Sequence, residues 1–165
     1  KIAPRILFAC ASARPMARRR RQEKPQGDIR VSEAATGSLK GIKVMVIDDS
    51  NTIRKSAEIF LHQAGCQVVL AEDGFDALAK IADHQPDMVF CDILMPRLDG
   101  YQTCALIKKN ARFNTTPVIM LSSKDGLFDR ARGRMVGSDE YLTKPFTKDG
   151  LLKTVAAHAP SHPSE

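Results

Sequence analysis

Three acidic residues stand at the ends of two apolar runs of strand length. Asp48 and Asp49 follow the run IKVMVI, and Asp92 follows the run MVFC. If the two runs are neighbouring strands of an open α/β sheet, the three carboxylates converge, because sites in such sheets form at the carboxyl ends of strands. Like charges so close repel one another unless a cation joins them. Hard carboxylate oxygens suit Mg²⁺, so the pattern predicts a magnesium site.

A metal beside one accessible carboxylate favours phosphoryl transfer to that carboxylate, here Asp92. The transition state spreads negative charge over three oxygens, so the protein must supply cations and hydrogen-bond donors. Ser122 follows a fourth apolar run, VIML, and offers a hydroxyl; Lys144 follows a short fifth run and offers an ammonium. Pro145 comes next, and the Lys144–Pro145 bond is a candidate cis peptide, because only X–Pro bonds become cis at low cost.

Each of these residues also has a plainer interpretation when it is taken alone. Asp48 and Asp49 could cap the helix that follows them and interact with its amino-terminal dipole. Ser122 could be a turn residue, and Lys144 could be a solvated surface lysine. Their joint occurrence at the ends of several strands favours a common site.

Five strand-like runs alternate with five amphipathic segments over residues 39–158. The predicted strands cover residues 42–47, 67–71, 88–91, 118–121 and 140–142. The predicted helices cover about residues 51–64, 75–82, 101–109, 127–135 and 148–158, with Ser50 or Asn51 as a cap for the first. Buried strands alternating with amphipathic helices predict a parallel sheet covered on both faces, and right-handed crossovers make it doubly wound.

The basic charge of the chain is confined to its first 38 residues. The net charge is +6 over 165 residues, yet residues 1–38 hold nine Lys and Arg against three Asp and Glu, whereas residues 39–165 hold sixteen of each. We expect residues 1–38 to form a disordered basic extension and residues 159–165 a short tail. A regulator that binds DNA or a membrane surface through Arg18–Arg21 stays an alternative, although no recognition helix accompanies these arginines.

Cysteine spacing and hydropathy favour a cytoplasmic protein. Cys10, Cys66, Cys91 and Cys104 form no CxxC pair, which argues against a zinc site and favours reduced thiols. No apolar run approaches the roughly 20 residues that cross a bilayer. The segment 6–11 weakly resembles a short signal peptide, and Met16 is an alternative start; whether residues 1–38 are native or functional stays open.

Four segments resemble the signature blocks of response-regulator receiver domains. They are VMVIDDSNTIRK, VFCDILMPRLDGYQ, VIMLSSKDG and GSDEYLTKPF, and the resemblance extends over about residues 41–158. It implies a flavodoxin-like, CheY-like fold with five parallel strands in the order 2-1-3-4-5. Receiver proteins are themselves examples of the strand-end rule, so the topology and the resemblance are not independent.

The resemblance implies a role for each acidic residue of the predicted site. Asp49 would bind Mg²⁺ directly and Asp48 largely through water. Asp92 would ligate the ion and accept the phosphoryl group. The backbone carbonyl of Leu94 would be a further metal ligand.

The resemblance also implies three residues that respond to the phosphoryl group. Lys144 would contact it, and the hydroxyl of Ser122 would turn toward it. Tyr141 would be the aromatic side chain that swings inward. Ser122 and Tyr141 would together form the switch.

The implied function is that of a single-domain response regulator in a two-component or phosphorelay system. A CheA-like histidine kinase would donate the phosphoryl group, and output would be protein contact through the face of the fourth helix, fifth strand and fifth helix. Arg130, Arg132 and Arg134 belong to the fourth helix, and a merely solvated basic face is the alternative interpretation.

The sequence around the motifs resembles regulators of type IV pilus twitching motility, a chemotaxis-like pathway. We expect no enzyme activity beyond self-phosphorylation and self-dephosphorylation, and no small-molecule substrate.

Two other classes with related topology fit less well. An aspartyl-phosphate phosphatase needs a DxD motif after its first strand, where this sequence has Asp48-Asp49-Ser50. A flavin-binding flavodoxin needs a hydroxyl-rich phosphate loop at the same place. The kinase, the output partner, the phosphoryl lifetime and the oligomeric state stay open.

Overall fold

A computed structural model describes residues 39–123 and 127–159, with the backbone alone for residues 127–130. The predicted basic extension, residues 1–38, lies outside these residues, as do Cys10, Met16 and most of the predicted tail. The predictions made for them therefore stay predictions.

Five parallel strands and five helices alternate along the described chain. The strands are β1 (Lys43–Ile47), β2 (Gln67–Ala71), β3 (Met88–Asp92), β4 (Val118–Ser122) and β5 (Glu140–Thr143). The helices are α1 (Asn51–Gln63), α2 (Gly74–His84), α3 (Gly100–Lys109), α4 (Leu127–Val136) and α5 (Lys148–His158). The sheet has the order β2-β1-β3-β4-β5, and all four pairings are parallel. The predicted doubly wound sheet and its strand order are confirmed.

The central strands are buried on both faces, which explains why they are apolar throughout. Successive side chains of a strand point to opposite faces, so each strand contributes to two cores. Val46 and Phe90 belong to one cluster, and their neighbours Ile47 and Cys91 belong to the other. Helices cover both faces, and the sheet therefore presents its carboxyl edge, rather than a face, for chemistry.

Strands β3, β4 and β5 each extend one residue further than the sequence predicted, and two of the added residues belong to the predicted site. Asp92 and Ser122 were expected just after their strands, but they are the last residues of β3 and β4 and pair with Leu121 and Thr143. An apolar run ends at its first polar residue, whereas the backbone ladder continues past it. The sheet thus holds both side chains in register.

The side-chain cap predicted for α1 is not formed. Ser50 occupies the N-cap position, but its side chain makes no capping hydrogen bond. Asp48 Oδ1 accepts a hydrogen bond from the Ser50 N–H instead, at 2.8 Å. The first carboxylate of the predicted site is therefore oriented by the start of α1.

Two further expectations can be checked in the described residues. The Lys144–Pro145 peptide bond is cis, as predicted. Within the described ranges, no helix combines the length and the apolar content that a bilayer crossing requires.

Candidate functional site

Asp48, Asp49 and Asp92 come together at the carboxyl edge of the sheet. Strands β1 and β3 are neighbours, with Ile47 opposite Cys91, so the residues that follow Ile47 lie beside Asp92. One carboxylate oxygen from each acid lies within 4.8 Å of the other two. Asp48 is fully buried, Asp92 is nearly so, and Asp49 is exposed. The structure thus brings together the three acids that the sequence singled out.

This donor set fits a magnesium ion. Mg²⁺ takes oxygen ligands in octahedral geometry at about 2.0–2.1 Å, so its ligand oxygens lie roughly 3–4 Å from one another. The 4.8 Å limit on the three carboxylate oxygens is compatible with that spacing after small side-chain adjustments. Because Asp49 is exposed, water can reach the cluster from its side. Leu94 borders the cluster, because its N–H donates to Asp92 Oδ1 at 3.4 Å.

Lys144 reaches the same cluster from the end of β5. Its Nζ lies 3.1 Å from Asp48 Oδ2 and 2.9 Å from Asp92 Oδ1. The backbone N–H of Lys144 donates to the carbonyl of Ser122 at 2.6 Å, so the lysine and the serine are fixed to each other at neighbouring strand ends. The ammonium therefore bridges two carboxylates that would otherwise be buried without a cation.

Burial and neighbouring charges set the protonation of the site. Burial raises the pKa of Asp92, the hydrogen bond from Lys144 lowers it, and the charge of Asp48 raises it again, with a net rise. Burial lowers the pKa of Lys144, but its hydrogen bonds to Asp92 and Asp48 and their charges outweigh that effect, so the pKa of Lys144 is raised. Lys144 is consequently a firmly charged cation next to Asp92.

The loop after Asp92 is held against the strand end by its backbone. The N–H of Gly100 donates to the carbonyl of Ile93 at 3.0 Å. A Cβ at position 100 would lie only 2.2 Å from the carbonyl oxygen of Asp92, so only glycine allows this approach. Asp99 caps α3 in a reciprocal capping box with Gln102.

The sequence did not predict the side-chain contacts that hold this loop. Arg97 adopts a left-handed φ of 68°, forms an ion pair with the buried Asp73 at the start of α2, and lies 5.7 Å from the ring centroid of Phe75. Arg54 of α1 was missed as well, although its Nη1 donates to the backbone carbonyl of Asp48 at 2.6 Å. These contacts depend on how helices dock, and no periodic sequence signal indicates them.

Ser122 and Tyr141 lie on the side of Asp92 toward β5. Ser122 is 5% exposed and follows Leu121, which pairs with Asp92. Tyr141 is half-buried on β5 and packs against the core cluster that contains Cys91.

The arginines of α4 differ in what their side chains contact. Arg132 is exposed but places its guanidinium 4.7 Å from the ring centroid of the buried Tyr101. Arg134 lines a shallow cavity of about 280 Å³ together with residues 138–141. The side chain of Arg130 lies outside the described residues.

Comparison with known proteins identifies the family to which the chain belongs. The family profile described as "Response regulator receiver domain" matches residues 44–156. The chain belongs to the response-regulator receiver family. Receiver domains are signal transducers rather than metabolic enzymes, and they generally use Mg²⁺ at an acidic site such as the one formed here. A receiver also implies a histidine kinase as phosphodonor and a downstream protein partner.

Individual relatives of this receiver agree with its fold. Protein PilG of Pseudomonas aeruginosa is 69% identical over 121 residues, which are 73% of this chain and 90% of PilG. Protein PilH of the same organism is 37% identical over 70% of this chain and 95% of its own length. The solved structure of the chemotaxis protein CheY4 of Vibrio cholerae matches with a TM-score of 0.70 and 32% identity over 72% of this chain and 98% of that one. No comparison favours the DNA-binding alternative.

Proposed function

We propose that this receiver accepts a phosphoryl group on Asp92 from the phosphohistidine of a CheA-like histidine kinase and passes the signal on by protein contact. One observation carries the proposal. A nearly buried carboxylate, Asp92, lies within 4.8 Å of two further carboxylate groups and 2.9 Å from a lysine ammonium. Such a cluster suits a divalent cation and a phosphoryl group together.

The chemistry follows from the charges of the site. Asp48, Asp49, Asp92 and the carbonyl of Leu94 would hold Mg²⁺, which when bound supplies positive charge to the carboxylates and to the phosphoryl oxygens. A carboxylate oxygen of Asp92 attacks phosphorus, the phosphorus–nitrogen bond to the kinase histidine breaks, and that nitrogen retains the electron pair. Lys144 and the Ser122 hydroxyl then bind the phosphoryl oxygens. Attack by water on the acyl phosphate releases inorganic phosphate and restores Asp92.

The output would be a shift between two arrangements of one face. Ser122 moves toward the phosphoryl group, Tyr141 packs inward, and the face of α4, β5 and α5 changes its preferred protein partner. Phosphorylation shifts this equilibrium only to the extent that it binds one arrangement better than the other. The similarity to PilG supports a role in type IV pilus twitching motility, and the three free buried cysteines, Cys66, Cys91 and Cys104, are compatible with the reducing cytoplasm.

Intact-mass spectrometry after incubation with acetyl phosphate and Mg²⁺ tests the phosphoacceptor. The wild type should gain one phosphoryl group, and Asp92→Asn should gain none. Asp99→Asn makes the same chemical change at an acid whose capping role asparagine can also fill, so it should gain the group as the wild type does. No gain in the wild type, or an equal gain in Asp92→Asn, would count against the proposal.

A genetic complementation test addresses the pilus role separately. Expression in Pseudomonas aeruginosa that lacks PilG should restore twitching, and Asp92→Asn should not. Failure of the wild type, at normal protein level, would remove the pilus assignment and leave the phosphoacceptor intact.

A further inference from the structure

Gly133 of α4 lies directly against the tip of Tyr141. A Cβ at position 133 would lie 1.6 Å from Tyr141 Oη and 2.5 Å from Tyr141 Cζ. Neither distance is possible between real atoms, so any side chain at position 133 would displace the ring of Tyr141. The position that Tyr141 occupies in this structure therefore requires glycine at 133.

The backbone of α4 offers no other reason for this glycine. Positive φ among the described glycines occurs at Gly41, Gly65 and Gly137 but not at Gly133, which is helical and buried. Glycine in a helix interior is less favourable than alanine, because it loses more conformational freedom on folding. The contact with Tyr141 explains why glycine occupies this position.

Ser138 completes the contact without a hydrogen bond from its side chain. Its backbone N–H donates to the carbonyl of Gly133 at 3.0 Å, and its Oγ would lie 2.7 Å from the same Cβ position. That Oγ is buried and has no hydrogen-bond partner among the described residues. The hydroxyl of Ser138 therefore touches the contact without holding the ring by a hydrogen bond.

We propose that Gly133 is a positioning residue whose missing side chain leaves room for the Tyr141 ring in the arrangement described here, and that Tyr141 leaves this contact when Asp92 is phosphorylated. The inference rests on the proposed function, with Tyr141 as the moving aromatic. A side chain at 133 removes the contact from one arrangement only. It therefore shifts the equilibrium toward the other arrangement of Tyr141. The equilibrium constant for phosphorylation rises by the same factor.

Tyrosine-ring NMR of the full chain tests this directly, because the sequence has only two tyrosines, Tyr101 and Tyr141. The Tyr141 signal is assigned with Tyr141→Phe. In Gly133→Ala without phosphodonor, the Tyr141 signal should move away from its wild-type position. With excess acetyl phosphate and Mg²⁺, the wild-type and variant signals should converge. The initial phosphorylation rate of the variant should rise, up to about tenfold for a contact worth about 1.4 kcal/mol.

Gly150→Ala is the matched control, since its Cβ would come no closer than 3.2 Å to another side chain and should change neither signal nor rate. Circular dichroism checks that both variants fold, as expected for alanine in a helix. An unmoved Tyr141 signal in Gly133→Ala, signals that stay apart after phosphorylation, or an unchanged rate would each overturn the inference. Failure of the proposed function looks different: the wild type itself would gain no phosphoryl mass.

Discussion

At the scale of single residues, Lys144 balances the charge of the site. Asp48 is fully buried and Asp92 is 3% exposed, and the ammonium of Lys144 contacts both carboxylates. Removing the cation leaves two carboxylates in a poorly hydrated place, which is costlier than losing a solvated ion pair. A bound Mg²⁺ would offset the same negative charge. Either the lysine or the metal can therefore partly stabilise the fold against the repulsion of the two carboxylates.

Lys144→Met tests this balance by chemical denaturation. In EDTA the variant should lose about 1–3 kcal/mol, less than the roughly 3–5 kcal/mol of a fully buried pair because Lys144 keeps some exposure. Mg²⁺ should then stabilise the variant more than it stabilises the wild type. Lys108→Met is the control, because Lys108 pairs with Asp139 at 2.8 Å outside the acidic cluster. An equal Mg²⁺ effect in all three proteins would contradict the prediction.

The raised pKa of Asp92 gives a pH dependence with a definite sign. A carboxyl whose pKa is raised on folding stabilises the fold below its unfolded pKa and loses that contribution as pH rises through the folded pKa. Asp92→Asn removes the ionisation. In EDTA at pH 7 it should therefore unfold at a higher temperature than the wild type, despite losing the Lys144 pair. The difference should vanish below about pH 3.9, the unperturbed aspartate pKa. A lower unfolding temperature at pH 7 would show that the pair outweighs burial.

The sequence predicted which residues meet, but not all the contacts that hold them. Asp48, Asp49, Asp92 and Lys144 could be placed together because parallel strands share one carboxyl edge. The ion pair of Arg97 with Asp73 could not, because it joins a loop to a helix start 24 residues away and depends on how the two dock.

At the scale of elements, the end of β3 is braced by the start of α3. The glycine at position 100 brings the helix backbone to within contact of the carbonyl of Asp92, and the capping box of Asp99 fixes where the helix begins. The backbone position of Asp92 thus depends on an element that contributes no side chain to the site.

Gly100→Ala should show that dependence. The added methyl group would meet backbone atoms of Asp92 and Ile93, which cannot swing away, so the variant should lose about 1–3 kcal/mol of stability. Its phosphorylation by acetyl phosphate should slow as well. Gly150→Ala, whose nearest neighbour is the end of a side chain, should change both properties little. Equal behaviour of the two variants in denaturation and phosphorylation assays would refute the close approach.

The elements themselves were predictable and their ends were less so. Continuous apolar runs located the three central strands, β1, β3 and β4, since both faces of each are covered. The sequence places Asp92 and Ser122 just outside their strands, because an apolar run ends where polarity changes and not where backbone pairing stops. The sequence predicts Ser50 or Asn51 as the cap of α1 because such residues commonly cap helices, whereas the side chain of Ser50 makes no capping hydrogen bond and its own N–H donates to Asp48.

At the scale of the whole molecule, the two cores shield three thiols. Burial raises the pKa of Cys66 and of Cys104 to about 11, and the pKa of the fully buried Cys91 is raised as well. Because the thiolate is the nucleophile, iodoacetamide at pH 8 should modify these cysteines slowly in the folded protein and fully in denaturant. Peptide mapping by mass spectrometry gives the extent at each cysteine. Rapid native modification of any of the three would contradict the packing.

The basic extension should be separable from the switch. The receiver-family match covers residues 44–156 and begins after the basic extension. A chain that lacks residues 1–38 should therefore be phosphorylated by acetyl phosphate at the wild-type rate. A filter-binding assay of both chains with DNA tests the alternative role of Arg18–Arg21. Salt-sensitive binding only by the longer chain would revive that role.

Chemical mapping of the phosphorylated residue tests the central claim most directly. Borohydride reduces an aspartyl phosphate to homoserine, so peptide mapping after acetyl phosphate and borohydride treatment identifies the acceptor. We predict homoserine at position 92 alone, and only when Mg²⁺ is present during phosphorylation. Homoserine at Asp48, Asp49 or another acid, or equal conversion of Asp92 in EDTA, would contradict the account.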